Sequence, residues 1–86
     1  MKIVWDEPKR LANLDKHGLD FADLDETFFD NALVVPSLNK SKRWVAIGVS
    51  VHGVIVVVFA RLGREGISVI SMRLASRGER KLYAER

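Results

Sequence analysis

The sequence contains no cysteine, only two histidines and two prolines, and no long apolar run. The absence of cysteine excludes a disulfide framework, a thiol nucleophile and any thiolate metal site. The longest apolar run, residues 54–60, has the length of a strand and is far short of the roughly 20 residues that a membrane helix needs. The first residues lack the apolar core of a secretory signal, so we expect a cytoplasmic protein that makes no membrane contact.

The chain does contain enough apolar material for a packed core. Its 86 residues are 48% apolar and 29% charged, which is too hydrophobic for a disordered tail. Because this length supports one core and not two, we expect a single domain over residues 1–86.

The net charge of +3 hides an uneven distribution along the chain. Residues 1–30 carry four Lys or Arg against eight Asp or Glu, whereas residues 31–86 carry ten against three. A basic second half is typical of a surface that binds a polyanion such as nucleic acid. An acidic helix face can also serve solubility alone, so the charge pattern leaves both interpretations open.

The first third of the chain has helical patterns. A short strand ends near Trp5, and a first helix begins at the Asp6 cap and ends at Gly18. Apolar residues at helical spacing predict a second helix over residues 20–31, with Asp20 as its cap.

The rest of the chain changes to strand patterns. Four strands are predicted, at residues 33–35, 43–51, 54–60 and 67–73. The third is continuously apolar, as expected of a central strand covered on both faces, and residues 37–42 form a polar loop. Ser76 and Glu79 form a capping box that opens a short C-terminal helix. The fold class is therefore α+β, an antiparallel β-meander sheet packed by two N-terminal helices and one short C-terminal helix.

Most kinds of catalytic or cofactor site can be excluded from the sequence. His17 and His52 lie far apart in the sequence, without metal-ligand spacing, so we expect neither a metal nor another cofactor. No serine stands in a nucleophile-elbow sequence, and no glycine-rich loop follows a strand and opens a helix. What remains is a set of cations at helix and strand ends, of which we single out Lys16, His17, Arg43, Arg61, Arg73, Arg77 and Arg80.

Such a set of cations suits the cleavage of RNA without a metal ion. Attack by a ribose 2′-OH on the adjacent phosphate builds negative charge, which fixed guanidinium groups stabilise. A histidine side chain can take up or release the protons that move near neutral pH. Each residue also has a structural explanation, because Arg61 and Arg73 are compatible with ordinary surface charges at strand ends, and His17 with a cation at a helix C-terminus.

The alternation of side chains along a strand leaves open whether Arg61 and Arg73 point to the same face of the sheet. A two-residue turn at residues 64–65 would set Arg61 opposite Ser68 and would put Arg73 on the other face of the sheet. One extra loop residue or a bulge would reverse that result. The sequence therefore does not decide whether Arg61 and Arg73 share a site.

Three stretches of the sequence resemble motifs of the BrnT family. Residues 5–21 have the pattern W-D-x-x-K-x-x-x-N-x-x-K-H-G-x-x-F, and residues 43–48 have the pattern R-x-x-x-x-G. Residues 70–83 have the pattern I-S-x-R-x-A-S-x-x-E-R-x-x-Y. These stretches match in register over nearly the whole chain, and the sequence is identified as a member of the family on that ground.

The resemblance implies a RelE-like fold and a toxin of a bacterial type II toxin–antitoxin system. It implies a ribonuclease that attacks RNA and thereby inhibits translation and arrests growth, and with the cations above we expect a metal-independent endoribonuclease. The resemblance also implies a hetero-oligomer with a BrnA-type antitoxin, whose ribbon-helix-helix part binds operator DNA, so that the toxin's contact with DNA is indirect. We expect that antitoxin to cover most of the basic surface.

The resemblance and the basic second half together assign roles to the cations. We expect Arg61 and Arg73 to bind the scissile phosphate and His17 to transfer a proton. The residues expected to hold flanking phosphates are Lys16, Arg43, Arg77 and Arg80. The competing hypothesis is a non-enzymatic basic module that engages an antitoxin or a nucleic acid without cleaving it, and the sequence alone does not separate the two.

Overall fold

The structure is a computed structural model that describes residues 1–38 and 41–86. Asn39 and Lys40, which belong to the loop predicted at residues 37–42, lie outside the described residues. The elements in chain order are β1 (Lys2–Trp5), α1 (Glu7–His17), a 3₁₀ helix (Phe21–Asp23), α2 (Glu26–Asn31), β2 (Leu33–Pro36), β3 (Arg43–Ser50), β4 (Gly53–Leu62), β5 (Gly66–Leu74) and α3 (Arg77–Ala84). The predicted α+β class is confirmed.

The five strands form one sheet in the order β1-β5-β4-β3-β2. The strands β2, β3, β4 and β5 pair antiparallel with their sequence neighbours, as the meander predicts. β1 pairs parallel with β5, so the sheet is mixed and not purely antiparallel. Tight turns force antiparallel pairing, but β1 is separated from β5 by helices and three strands and is free to pair in either direction.

The ends of α1 are set by local chemistry. The Asp6 side chain accepts a hydrogen bond from the Lys9 backbone N–H and caps the helix. Gly18 ends it at φ +71°, a left-handed conformation that glycine adopts without strain, and its N–H donates to the Leu14 carbonyl. Both ends lie where the sequence predicts them.

The single helix predicted over residues 20–31 is wrong. Asp20 caps only a 3₁₀ turn, because its side chain accepts from the nearby Ala22 N–H and the backbone at Leu24 is extended. Asp25 then caps α2 afresh by accepting from the Phe28 N–H. Two aspartates that each compete for backbone N–H groups divide the segment into two short pieces.

The two faces of the sheet are covered unequally. We call the face under α1, the 3₁₀ helix and α2 the front face, and the face that carries α3 the back face. The front face holds the main core, and the β4 side chains that point into it are fully buried: Ile55, Val57 and Phe59. On the back face of β4 only Val56 is buried, in a small cluster with Ile47 and Ala75, while Val58 and Ala60 are half-buried. The expectation that this strand is covered on both faces is therefore wrong for the part of the back face beyond α3.

The turn between β4 and β5 departs from the two-residue geometry considered above. It contains residues 63–65, and Arg61 is therefore paired with Ile67 and not with Ser68. A bulge then shifts the register by one residue between Val58 and Phe59, so that Val56 pairs with Arg73. The extra turn residue and the bulge cancel, which leaves Arg61 on the front face and Arg73 on the back face.

Asn13 joins α1 to the sheet. β1 pairs only with the first part of β5, as far as Val69, so the edge of β5 beyond that point lacks a strand partner. The Asn13 amide takes the partner's place, since its Nδ2 donates to the Met72 carbonyl at 2.9 Å and its Oδ1 accepts from the Met72 N–H at 3.2 Å. Asn13 is 8% exposed, so these bonds satisfy buried polar groups on both sides.

None of the helices in the described ranges is long and apolar enough to cross a lipid bilayer.

We expect Asn13→Ala to lower the free energy of unfolding by about 3 kcal/mol, because it leaves the Met72 N–H and carbonyl buried without partners. Asn31→Ala is the matched control. Among the described residues, the Asn31 amide donates only to the Thr27 carbonyl at the surface, so its loss should cost less than about 1 kcal/mol. Urea unfolding of both variants measures the difference, and equal losses would contradict the role given to Asn13.

Candidate functional site

The back face brings together two of the predicted arginines. Arg43 at the start of β3 pairs with Ala60, and Arg73 near the end of β5 pairs with Val56, and both of these β4 partners point to the back. Between them lie half-buried residues of the uncovered part of the face, among them Val58 and its partner Ser71. The result is an open strip of small side chains with a guanidinium at each end.

Arg73 is fixed in place by α3. Its Nη1 donates to Glu79 Oε1 at 2.7 Å and its Nη2 donates to Glu79 Oε2 at 2.8 Å. The two residues therefore form a bidentate ion pair. Glu79 Oε1 also accepts from the Ser76 N–H at 2.8 Å, and Ser76 caps the Glu79 N–H in return. The predicted capping box is present, and the same carboxylate ties the first turn of α3 to Arg73.

The ion pair sets the charge state of both partners. Hydrogen bonding to the Arg73 guanidinium, aided by the Ser76 N–H, lowers the pKa of Glu79 from 4.5 to about 2, against a smaller opposing effect of burial. Glu79 in turn raises the pKa of Arg73 above its ordinary value. Near neutral pH, Arg73 is a cation and Glu79 an anion.

Two more of the predicted cations lie on α3. Arg77 is exposed in its first turn, and Arg80 donates from Nη1 to the Ala75 carbonyl at 3.0 Å. Ala75 and Ser76 connect β5 to α3, so both arginines lie within a few residues of Arg73. The N-terminal end of the helix adds the positive end of its dipole to these charges.

His17 and Lys16 occupy the last turn of α1 and are exposed. His17 follows Asn13 by four residues, about one helical turn, so the two lie on the same side of the helix. Asn13 is bonded to Met72, the neighbour of Arg73 in β5. This bond anchors α1 at the edge of β5, although α1 covers the front face and Arg73 points to the back face.

Arg61 lies apart from these residues. Its guanidinium stacks on the Trp44 ring, 4.9 Å from the ring centre, and Trp44 packs against the front core. The expectation that Arg61 and Arg73 bind one phosphate is not supported, because strand alternation sends them to opposite faces.

Two contributors to this site were missed in the sequence. Glu79 was interpreted first as a capping residue, and its bond to Arg73 depends on how β5 meets α3. Asn13 could have been found from the sequence, since an amide on the buried side of a short amphipathic helix needs a hydrogen-bond partner.

Within residues 1–38 and 41–86, no three His, Asp or Glu side chains form a group that could hold a metal ion.

Comparison with known proteins gives a consistent result. A family model described as the ribonuclease toxin BrnT of type II toxin–antitoxin systems matches residues 5–79. The crystal structure of the Brucella abortus ribonuclease toxin BrnT matches with a TM-score of 0.81 and 54% sequence identity, and the match covers 90% of this chain and 99% of that one. No match was found among curated protein sequences. The family match includes both Arg73 and Glu79.

The lowered pKa of Glu79 makes stability depend on pH. A carboxylate whose pKa is lower in the folded chain stabilises the fold above its unfolded value, and that stabilisation disappears as the pH falls from about 5 to about 2. After allowance for solvent screening of a partly exposed pair, we expect the wild type to lose about 1 kcal/mol more unfolding free energy over this range than Glu79→Gln. Urea unfolding at a series of pH values measures the loss.

Glu65→Gln is the control for this titration, since Glu65 is exposed in the β4–β5 turn. It should keep the acid sensitivity of the wild type. The same sensitivity in Glu79→Gln would show that the ion pair contributes nothing to stability.

Proposed function

This chain belongs to the family of BrnT ribonuclease toxins of type II toxin–antitoxin systems, and on that premise we propose that it is a metal-independent endoribonuclease whose reaction centre lies around Arg73. Cleavage of RNA there would inhibit translation and arrest growth. One observation carries the proposal: Arg73 is held rigidly by Glu79 on an open face and still has donors to offer.

The donors of Arg73 divide into two sets. Both Nη1–H groups and one Nη2–H group donate hydrogen bonds to the Glu79 carboxylate and the Leu74 carbonyl. Among the described residues nothing accepts from Nε–H or from the second Nη2–H, which lie side by side on one edge of the planar group. Two parallel N–H groups suit two oxygens of one phosphate. Glu79 can therefore orient Arg73 while the other edge of the guanidinium binds RNA.

The chemistry then follows from charge and proton balance. The 2′-oxygen of a ribose attacks the adjacent phosphorus, a 2′,3′-cyclic phosphate forms and the 5′-oxygen leaves with a proton. Negative charge grows on the phosphoryl oxygens in the transition state, where a fixed guanidinium lowers the barrier. His17 would take the 2′ proton or supply the 5′ proton, with Lys16 beside it.

Other cations would hold the rest of the RNA strand. Arg43 lies on the same face as Arg73, at the far end of the open strip. Arg77 and Arg80 lie on α3, within a few residues of Arg73. We assign these three residues to flanking phosphates. Arg61 points to the front face, so we assign it no contact with the RNA.

The partner of this toxin, by the same proposal, is a BrnA-type antitoxin with a ribbon-helix-helix part that binds operator DNA. A second candidate function, a basic module that binds without cleaving, is favoured by the fact that Glu79 already neutralises Arg73. Growth arrest with intact RNA would support that second candidate.

We expect Arg73→Ala to slow RNA cleavage by about 100-fold, because it removes a fixed donor from the transition state. Arg73→Lys keeps the charge but loses the paired donors, and should fall between Ala and wild type. Arg64→Ala, at an exposed turn arginine, is the matched control and should cleave as the wild type does. Expression of each form without antitoxin, scored for growth and RNA integrity together, gives the measurement. Wild-type toxicity and cleavage in Arg73→Ala would remove Arg73 from the reaction.

We also expect cleavage by the purified chain to continue in excess EDTA and to leave 2′,3′-cyclic phosphate ends. Both results follow if guanidinium groups and His17 replace a metal ion as the source of charge and protons. Gel analysis of a labelled RNA measures this: cyclic ends resist phosphatase until dilute acid has opened them to monophosphates, which phosphatase then removes. Loss of cleavage in EDTA that Mg²⁺ restores would contradict the metal-independent reaction.

A further inference from the structure

A groove of about 840 Å³ opens where the β3–β4 turn, α2 and the end of α3 meet. Its floor is apolar and consists of front-face residues, Phe28, Ile55 and Met72. Val51 and Tyr83 contribute to its walls. We call it the hairpin groove. None of the residues assigned to RNA cleavage lines it, so it needs a separate explanation.

One side of the hairpin groove is acidic. Asp20, Asp23 and Asp25 all line it. Asp20 is paired with Arg10, at 3.0 Å, but Asp23 and Asp25 are exposed and carry their charge into solvent. The sugar–phosphate backbone of RNA or DNA would be repelled here, whereas a Lys or Arg side chain would be attracted.

The other side of the hairpin groove combines exposed apolar side chains with His52 and Arg86. Val49 is 59% exposed and Val51 is 95% exposed, at the end of β3 and in the turn that follows. The Arg86 guanidinium, which also lines the groove, stacks on the Tyr83 ring at 3.8 Å. Apolar side chains around an apolar floor mark a surface that another molecule covers. Its open shape and exposed rim fit a polypeptide segment better than an enclosed small molecule.

We propose that the hairpin groove binds a segment of the antitoxin that places apolar side chains on the floor and Lys or Arg side chains against Asp23 and Asp25. The proposal rests on the proposed function only in taking the type II antitoxin as the occupant. Charge complementarity selects a basic, partly apolar peptide over the nucleic acid that suits the back face.

The position of the groove links it to the reaction centre. Tyr83, in its wall, lies on α3, and the first turn of the same helix holds Arg73 through Glu79. Tyr83 also packs on the small back-face cluster that fixes α3 to the sheet. A segment in the groove therefore contacts the helix that orients Arg73, and it can do so without covering Arg73 itself.

Charge reversal tests the acidic side. Asp23→Lys should weaken binding of a BrnA-type antitoxin by about tenfold and leave RNA cleavage unchanged. Asp30→Lys makes the same change on an exposed residue of α2 that does not line the groove, and should bind within about twofold of wild type. Calorimetric titration gives the affinities, and RNA cleavage is assayed separately, so a failure of the nuclease proposal does not obscure the binding result.

A single thiol tests the apolar side. Because the chain has no cysteine, Val51→Cys carries the only site for a polarity-sensitive dye, and Leu62→Cys places the same dye at the opposite end of β4. Antitoxin should shift the emission at position 51 and not at position 62.

Each of the following results would overturn the proposal. The first is an antitoxin that binds Asp23→Lys as tightly as wild type, or that does not bind the wild type at all. The second is a dye at position 51 that responds to RNA. The third is a dye at position 51 that responds to raising the concentration of the toxin alone, since a second copy would then fill the groove.

Discussion

The ion pair between Arg73 and Glu79 links the strand on which we place the reaction centre to the helix on the back face. α3 has only eight residues, too few to be stable alone, and it is held by this pair, by the Ser76 cap and by the packing of Tyr83. The pair also determines which way Arg73 faces. A single carboxylate thus stabilises a helix end and orients the guanidinium to which we assign phosphate binding.

The uneven covering of the sheet explains how one small chain can have two kinds of surface. The acidic first third folds onto the front face and buries the main core beneath it. The back face is left half open, with arginines at both ends of the uncovered strip. Nucleic acid and a protein partner can therefore meet different chemistry on the same molecule, basic on the back and acidic with apolar walls at the hairpin groove.

Most features that depend on neighbouring residues were predictable from the sequence, and the exception is the break at Leu24 within the helix predicted over residues 20–31. The Asp6 cap, the Gly18 stop and the Ser76 capping box each need only a few adjacent residues, and all three are present. Pairing between distant segments was not predictable, because the parallel contact of β1 and the amide of Asn13 on Met72 depend on how whole elements pack.

The relation of Arg61 to Arg73 shows the same limit in the site. Their parity depends on a turn length and on a bulge, each of which reverses the answer, and the sequence specified neither. The ion pair between Arg73 and Glu79 could not be predicted from the sequence for a different reason. The capping box already accounted for Glu79, and only the geometry between β5 and α3 reveals its second partner.

The central claim is that Arg73 presents its free edge to an RNA phosphate on the back face. The most direct test is an NMR titration that follows the arginine Nε–H signals as an RNA analogue without the attacking 2′-hydroxyl is added. The account predicts that the Arg73 Nε–H signal shifts and becomes protected from exchange while Arg61 changes little. A shift at Arg61 with Arg73 unaffected would contradict it.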